Sequence, residues 1–233
     1  MDSRMTQCQF IRALSAGRPQ HIVCYGCSLT AGGEWVKQME QVLVENYPGL
    51  ATVTNSGQGA MWSQWGAENL SDRVLAKNPD AVFIEFSMND AYLPYETSVD
   101  AARTNLASMI CAIRRHNAET EIIIMIMNPP TGEHLLARPE YGVYNQMYRD
   151  VARQHNLLLI DHEPNWNAVL QQSMDAFLRY VPDGIHPAPA GCMTIILPHL
   201  LACLGISTAR TPEAEAAGAD QPAATLISKH RKN

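Results

Sequence analysis

The sequence predicts an α/β domain in which a parallel β-sheet is covered by helices on both faces, and three observations carry that expectation. Five short runs are nearly continuous in apolar residues, as strands buried on both faces are. Longer stretches of helical character separate them, so strand and helix alternate along the chain. Breaker residues mark the changes of pattern: Pro48-Gly49, Asn78-Pro79-Asp80 and Asn128-Pro129-Pro130.

Taken in order, a first strand is expected from His21 to Tyr25, and a helix over 34–46 closes at Pro48-Gly49. A second strand from Ala51 to Thr54 leads to a helix over 60–77. The third strand, Ala81 to Phe86, is introduced by Asn78-Pro79-Asp80 and followed by a helix over 98–117. The fourth runs from Glu121 to Met127, stops at Asn128-Pro129-Pro130 and gives way to a helix over 133–155. A fifth strand from Leu157 to Ile160 precedes a last helix over 188–204.

A chain of 233 residues builds one sizeable core, which places one domain over 20–205 between an N-terminal segment, 1–19, and a C-terminal tail, 206–233. The tail turns to Ala, Glu, Pro and Gly and then to Lys229-His230-Arg231-Lys232, with too few apolar residues to offset ordering entropy, so it is expected to be flexible. With 46% hydrophobic and 17% charged residues the domain is globular rather than disordered. A net charge of −6, with no basic run before the last residues, argues against a nucleic-acid partner. The six scattered cysteines read as reduced thiols, and Cys24 and Cys27 straddle a strand end instead of opening a helix, which argues against a redox pair. The N-terminus lacks the 7 to 15 residue apolar core of a signal peptide and no segment is long enough to span a membrane, so a cytoplasmic location is the expectation. The chain contains no internal repeat.

Ligands of an open parallel sheet gather beyond the carboxyl ends of its strands, and the chemically suggestive residues fall there. Gly26-Cys27-Ser28-Leu29-Thr30 follows the first strand. A serine hydroxyl becomes a useful nucleophile only beside a general base, and an imidazole serves best when a carboxylate orients it. Pro182-Asp183-Gly184-Ile185-His186-Pro187 supplies both, with Asp183 and His186 three apart in a turn bounded by proline and glycine. Acyl transfer also needs donors for the developing oxyanion. The Ser28 backbone, the Gly57 backbone in Asn55-Ser56-Gly57 and the Asn89 amide in Ser87-Met88-Asn89-Asp90 lie on suitable loops.

These four blocks, in this order and on these elements, resemble those of the SGNH hydrolases, also called the GDSL esterase and lipase family, over about residues 20–205. The resemblance implies a three-layer α/β/α flavodoxin-like fold on a five-stranded parallel sheet, and ester hydrolysis without metal or organic cofactor. It also implies a catalytic Ser28, Asp183 and His186, with oxyanion donors Ser28, Gly57 and Asn89. Cys27 stands where the family usually has Asp, and Ser87 where the third block usually begins with Gly. A thiol accepts hydrogen bonds poorly, so the ordering an Asp gives the nucleophile loop must come from elsewhere. A Cys27 nucleophile is the sharper alternative, but adjacent residues in such a turn point in different directions, and a packing role is preferred.

Trp35, Trp62, Trp65, Tyr92 and Tyr95 follow the catalytic loops and fit either stacking on a sugar and lining an acyl pocket or ordinary packing. Asp161, His162 and Glu163 read as a helix cap near Pro164 rather than metal ligands, and His134, His155 and His199 as helix residues. The expected function is hydrolysis of a small acyl ester, such as an O-acetyl group on a carbohydrate. The alternatives are lysophospholipase, thioesterase or sugar acyltransferase chemistry on the same residues, and a catalytically silent carbohydrate-binding module. A flavodoxin-type nucleotide site has only Ala31-Gly32-Gly33 to offer, without a Walker lysine.

Overall fold

The computed structural model describes residues 8–206. In chain order the elements are α1 (Gln9–Ser15), β1 (Gln20–Gly26), α2 (Ser28–Ala31), α3 (Glu34–Asn46), β2 (Ala51–Asn55), α4 (Ser63–Glu68), α5 (Leu70–Arg73), β3 (Ala81–Glu85), α6 (Ser87–Asp90) and α7 (Val99–His116). They continue with β4 (Glu121–Ile126), α8 (Gly132–Leu136), α9 (Tyr141–Gln154), β5 (Leu158–Asp161), α10 (Glu163–Gln172), α11 (Met174–Tyr180) and α12 (Pro189–Gly191). A π-helical turn (Cys192–Ile196) then joins α12 to α13 (Leu197–Leu204).

All five strands are parallel, in the order β2-β1-β3-β4-β5. The central strands are apolar on both faces because both faces are covered, with β3 buried along its whole length. Edge strand β2 is half exposed and carries Thr52, Thr54 and Asn55. One helical layer groups α3 with α13, and the other groups α4, α7 and α9. The chain leaves β1 toward β2 on one side and toward β3, β4 and β5 on the other, so the order reverses between β1 and β3. Parallel sheets open a crevice at that switch point, and the loops bearing Ser28 and Asn89 leave from those two strands.

Helix α1 buries Phe10, Ile11 and Leu14 in the common core, so residues 9–15 pack as part of the folded unit. The expected helix over 60–77 is instead α4, α5 and a 3-10 turn at Leu75–Lys77. That over 133–155 is broken at Pro139, whose ring removes a backbone donor, into α8 and α9. The last helix contains the π turn just before Pro198, another missing N–H. Helix α10 starts at Glu163, where a cap near Pro164 was expected, while its extent and the whole of α11 lie in a stretch for which no element was expected. Among the described residues no helix is long and apolar enough to cross a membrane. The expected flexible tail lies, apart from Ile206, outside the described residues.

Candidate active site

Strand β1 ends at Gly26 and the chain turns at once into α2, which begins with Ser28. The turn is too tight for any side chain at 26: a Cβ there would lie 2.3 Å from Thr30 Oγ1 and 2.5 Å from the Glu85 carbonyl oxygen. Ser28 stands at the first position of α2, where its N–H has no intrahelical acceptor. Trp35 closes the turn from below, its indole N–H donating to the Leu29 carbonyl at 2.8 Å.

From the opposite side comes the turn at 182–187. Gly184 adopts φ +86°, open to glycine, and a Cβ there would also meet Thr131 Oγ1 at 2.8 Å. The loop after β4 clamps this turn: the Thr131 N–H donates to the Gly184 carbonyl at 2.9 Å and Asn128 Nδ2 to the Ile185 carbonyl at 3.0 Å. Asp183 Oδ1 then accepts the backbone N–H groups of His186, 2.7 Å, and Ile185, 3.0 Å.

His186 is thereby placed between two partners. Its Nδ1 lies 2.7 Å from Asp183 Oδ2 and its Nε2 lies 2.9 Å from Ser28 Oγ. An ionised carboxylate only accepts, so Nδ1 carries the proton and Nε2 is left to accept from the serine hydroxyl. Partial burial pushes the Asp183 carboxyl up, but the two backbone donors and the imidazole outweigh it and hold the group down at about 2. The arrangement has the connectivity of nucleophile, base and orienting acid.

The two remaining donor candidates are held differently. The Gly57 N–H is already bonded to Asn55 Oδ1 at 3.0 Å, in an Asx turn whose amide also donates to the Thr30 carbonyl at 2.8 Å. Asn89, 4% exposed in α6 just after β3, gives one amide N–H to the Met61 carbonyl at 3.0 Å and receives Arg138 Nη2 on Oδ1 at 3.2 Å. Next to it Asp90 is buried, accepts from the Ser63 N–H at 2.9 Å and from the Tyr148 hydroxyl at 2.7 Å, and is pushed up to about 6 by burial.

Cys27 is completely buried, its Sγ 3.2 Å from Glu85 Oε2. Burial first, then the Glu85 charge, push its thiol well above the usual range, so it is a neutral packing group and not a thiolate. Glu85 is a site residue the sequence did not suggest. It ends a strand that is otherwise apolar, is 1% exposed, accepts from Thr30 Oγ1 at 3.2 Å as well, and is raised by burial from 4.5 to about 8. Ser87 is buried at the start of α6.

A cavity of about 310 Å3 opens beside Ser28 and His186, with Leu29, Trp35, Met127 and Pro187 among its mainly apolar walls. Of the aromatic candidates, Trp35 lines the cavity but is 1% exposed and packs in the core. Trp65 packs on Tyr25 with Arg73 above it. Trp62 stacks on Tyr95, with ring centres 4.3 Å apart, and Tyr95 meets Tyr92 edge-on, forming a half-buried aromatic group beside the Asn89 loop. His162 and His199 pair through their Nδ1 atoms at 3.0 Å and neither lines the cavity beside Ser28, while Asp161 Oδ1 caps the start of α10. Among the described residues no cluster of three or more His, Cys, Asp or Glu side chains is arranged to hold a metal ion.

A doubly wound sheet with serine, imidazole and carboxylate aligned at its carboxyl edge is the form of an α/β/α ester hydrolase. The chain belongs to the GDSL-like lipase/acylhydrolase family, which it matches over residues 23–192, and is a carboxylic ester hydrolase. It is 25% identical over 223 residues to the lipoprotein YqeF of Bacillus subtilis (strain 168), covering 80% of this chain and 90% of that protein. The acetylxylan esterase Axe2 of Geobacillus stearothermophilus has the same fold, with a TM-score of 0.72 at 22% identity over 83% of this chain and 98% of its own. So does a GDSL-like lipase from Parabacteroides merdae, with a TM-score of 0.72 at 17% identity over 82% of this chain and 97% of its own.

Proposed function

We propose that the protein is a serine esterase for small acyl esters, with O-acetyl groups on a carbohydrate as the preferred substrate class, and that Ser28, His186 and Asp183 form its triad. The observation that carries this reading is the unbroken chain from Ser28 Oγ to His186 Nε2 and from His186 Nδ1 to Asp183 Oδ2, at 2.9 and 2.7 Å. Ser28 Oγ attacks the ester carbonyl carbon while His186 Nε2 takes its proton, and Asp183 stabilises the imidazolium that forms. The oxyanion receives the Ser28 N–H and the Asn89 amide, with the Gly57 N–H joining by sharing its bond to Asn55. The tetrahedral species collapses, the alcohol leaves with the imidazolium proton, and water deprotonated by His186 releases the acyl group in a second round.

The substrate class draws on two supports. At about 30 Å3 per water-sized group, the cavity of about 310 Å3 has room for an acetyl and part of the unit bearing it. In the acetylxylan esterase, a serine, an aspartate and a histidine are described as catalytic, the last two spaced three apart as Asp183 and His186 are. A fluorophosphonate probe tests the nucleophile: wild-type protein should label and folded Ser28→Ala should not. A nitrophenyl ester series tests the acyl group. Turnover falling steeply beyond the shortest chains supports deacetylation, whereas a maximum at long chains would move the reading to thioesterase or lysophospholipase chemistry.

A further inference from the structure

Arg138 is the one arginine of the described residues that is both buried, at 7% exposure, and without a carboxylate within ion-pairing distance. Buried charges are ordinarily paired, because an ion taken out of water and left alone is expensive. Here the guanidinium is satisfied by neutral oxygens only: Nε donates to the Met88 carbonyl at 2.9 Å, Nη2 to Asn89 Oδ1 at 3.2 Å and Nη1 to the His134 carbonyl at 3.5 Å. Its face lies 4.5 Å from the Tyr92 ring centre, an attraction but not a counter-charge. Arg138 lies in the turn between α8 and α9, directly before Pro139, and reaches from there to the loop after β3.

Asn89 explains the arrangement. A carboxamide is planar, with one oxygen and two hydrogens. The oxygen is held by Arg138 and one hydrogen by the Met61 carbonyl, so the plane cannot rotate and the flipped amide would set an NH2 group against the guanidinium. Only the second N–H remains to be used.

We propose that Arg138 is a positioning residue for the oxyanion site: it locks the Asn89 amide with its free N–H toward the reacting carbonyl, and its unpaired positive charge behind that amide favours the state in which the carbonyl oxygen turns negative. The counter-charge missing from the resting protein is supplied by the oxyanion. An interaction that strengthens only as charge develops lowers the barrier without tightening substrate binding. The inference rests on the reading of Asn89 as an oxyanion donor.

The test is a double-mutant cycle on nitrophenyl acetate hydrolysis with Asn89→Ala, Arg138→Gln and both together, each checked for a wild-type thermal transition. Losing one oxyanion donor costs about 10² to 10³ in kcat. Arg138→Gln is expected to lower kcat by about 10- to 100-fold with KM nearly unchanged, and to cost little more once Asn89 is already alanine, since coupled groups are not additive. Arg138→Lys, which keeps the charge and loses the fork, should fall between. The same cycle is read from the lysine variant if Arg138→Gln does not fold. An equal loss in both backgrounds would make Arg138 merely structural and overturn the proposal, as would an unchanged kcat beside an impaired Asn89→Ala. An Asn89→Ala variant with wild-type kcat would overturn this proposal and the Asn89 assignment together, while leaving probe labelling of Ser28 intact.

Discussion

Replacing Glu85 by glutamine should flatten the pH dependence of stability, and the size of the effect follows from the burial of that side chain. The carboxyl is 1% exposed and raised from 4.5 to about 8, chiefly by loss of water, against the help of the Cys27 and Thr30 hydrogen bonds. Because the folded value lies above the unfolded one, the folded protein holds a proton that the unfolded chain has lost. The contribution is therefore fully present below 4.5 and lost as pH rises to about 8. The slope over that window is about 1.4 kcal/mol per pH unit, so wild-type protein should lose about 4 kcal/mol from this group between pH 5 and pH 9. Glutamine fills the same space and cannot ionise. Urea unfolding of both proteins at pH 5 and pH 9 reads the difference directly, and the titrations common to both cancel. Glu85→Gln should gain several kcal/mol on wild type as pH rises. Parallel stability curves would refute the reasoning, since they would mean that Glu85 has equal proton affinity folded and unfolded.

Ser28→Ala, His186→Ala and Asp183→Asn should each lower kcat by about 10⁴-fold or more in the ester assay, while Cys27→Ala keeps most of the turnover. A Cys27→Ala variant as inactive as Ser28→Ala would reverse the choice of nucleophile. Asp183, held down at about 2, contributes stability that is present above 3.8 and lost as pH falls toward 2, so Asp183→Asn should weaken the acid limb of a thermal-melt series in that window. Gly26→Ala should destabilise by about 1–3 kcal/mol or more and slow probe labelling, because its Cβ meets Thr30 and the Glu85 backbone. Cys27→Asp, read by urea unfolding near pH 8, should be markedly destabilising in the wild-type background and much less so beside Glu85→Gln.

The strands were legible to within one or two residues, β1, β3 and β4 because they are largely buried apolar runs, and the helix over 34–46 coincides with α3 because Pro48-Gly49 closes it. What escaped had weaker local signals. Helix α10 is rich in Asn and Gln, α11 is only seven residues long, and the two are separated at Ser173, which caps α11 by accepting the Ala176 N–H, so no apolar stripe runs long enough to be seen. Pro139 stood in plain view inside the stretch read as one helix. At the site, serine, histidine, aspartate, glycine and asparagine could be picked out because turn chemistry confines them to short blocks. Their supports could not, since Glu85, Asn128, Thr131 and Arg138 act across strands and loops far apart in sequence. Gly57 was legible as a donor candidate, but its existing bond to Asn55 depends on geometry alone.

The departure at Cys27 and the acid at Glu85 explain each other. Gly26 on β1 is the register partner of Glu85 on β3, so the side chain at 85 rises beneath the turn that carries residue 27. A carboxylate at 27 would lie against a second carboxyl in a volume without water, where two like charges cannot both ionise. A thiol removes the conflict: it is neutral, small and close enough to bond Glu85, which also takes the Thr30 hydroxyl and so ties both ends of the turn. The polar anchor that the family pattern places in the nucleophile block thus reaches the same volume from the neighbouring strand. A motif read residue by residue registers the substitution as a loss, whereas the fold shows an acid retained under the serine from a different point of attachment.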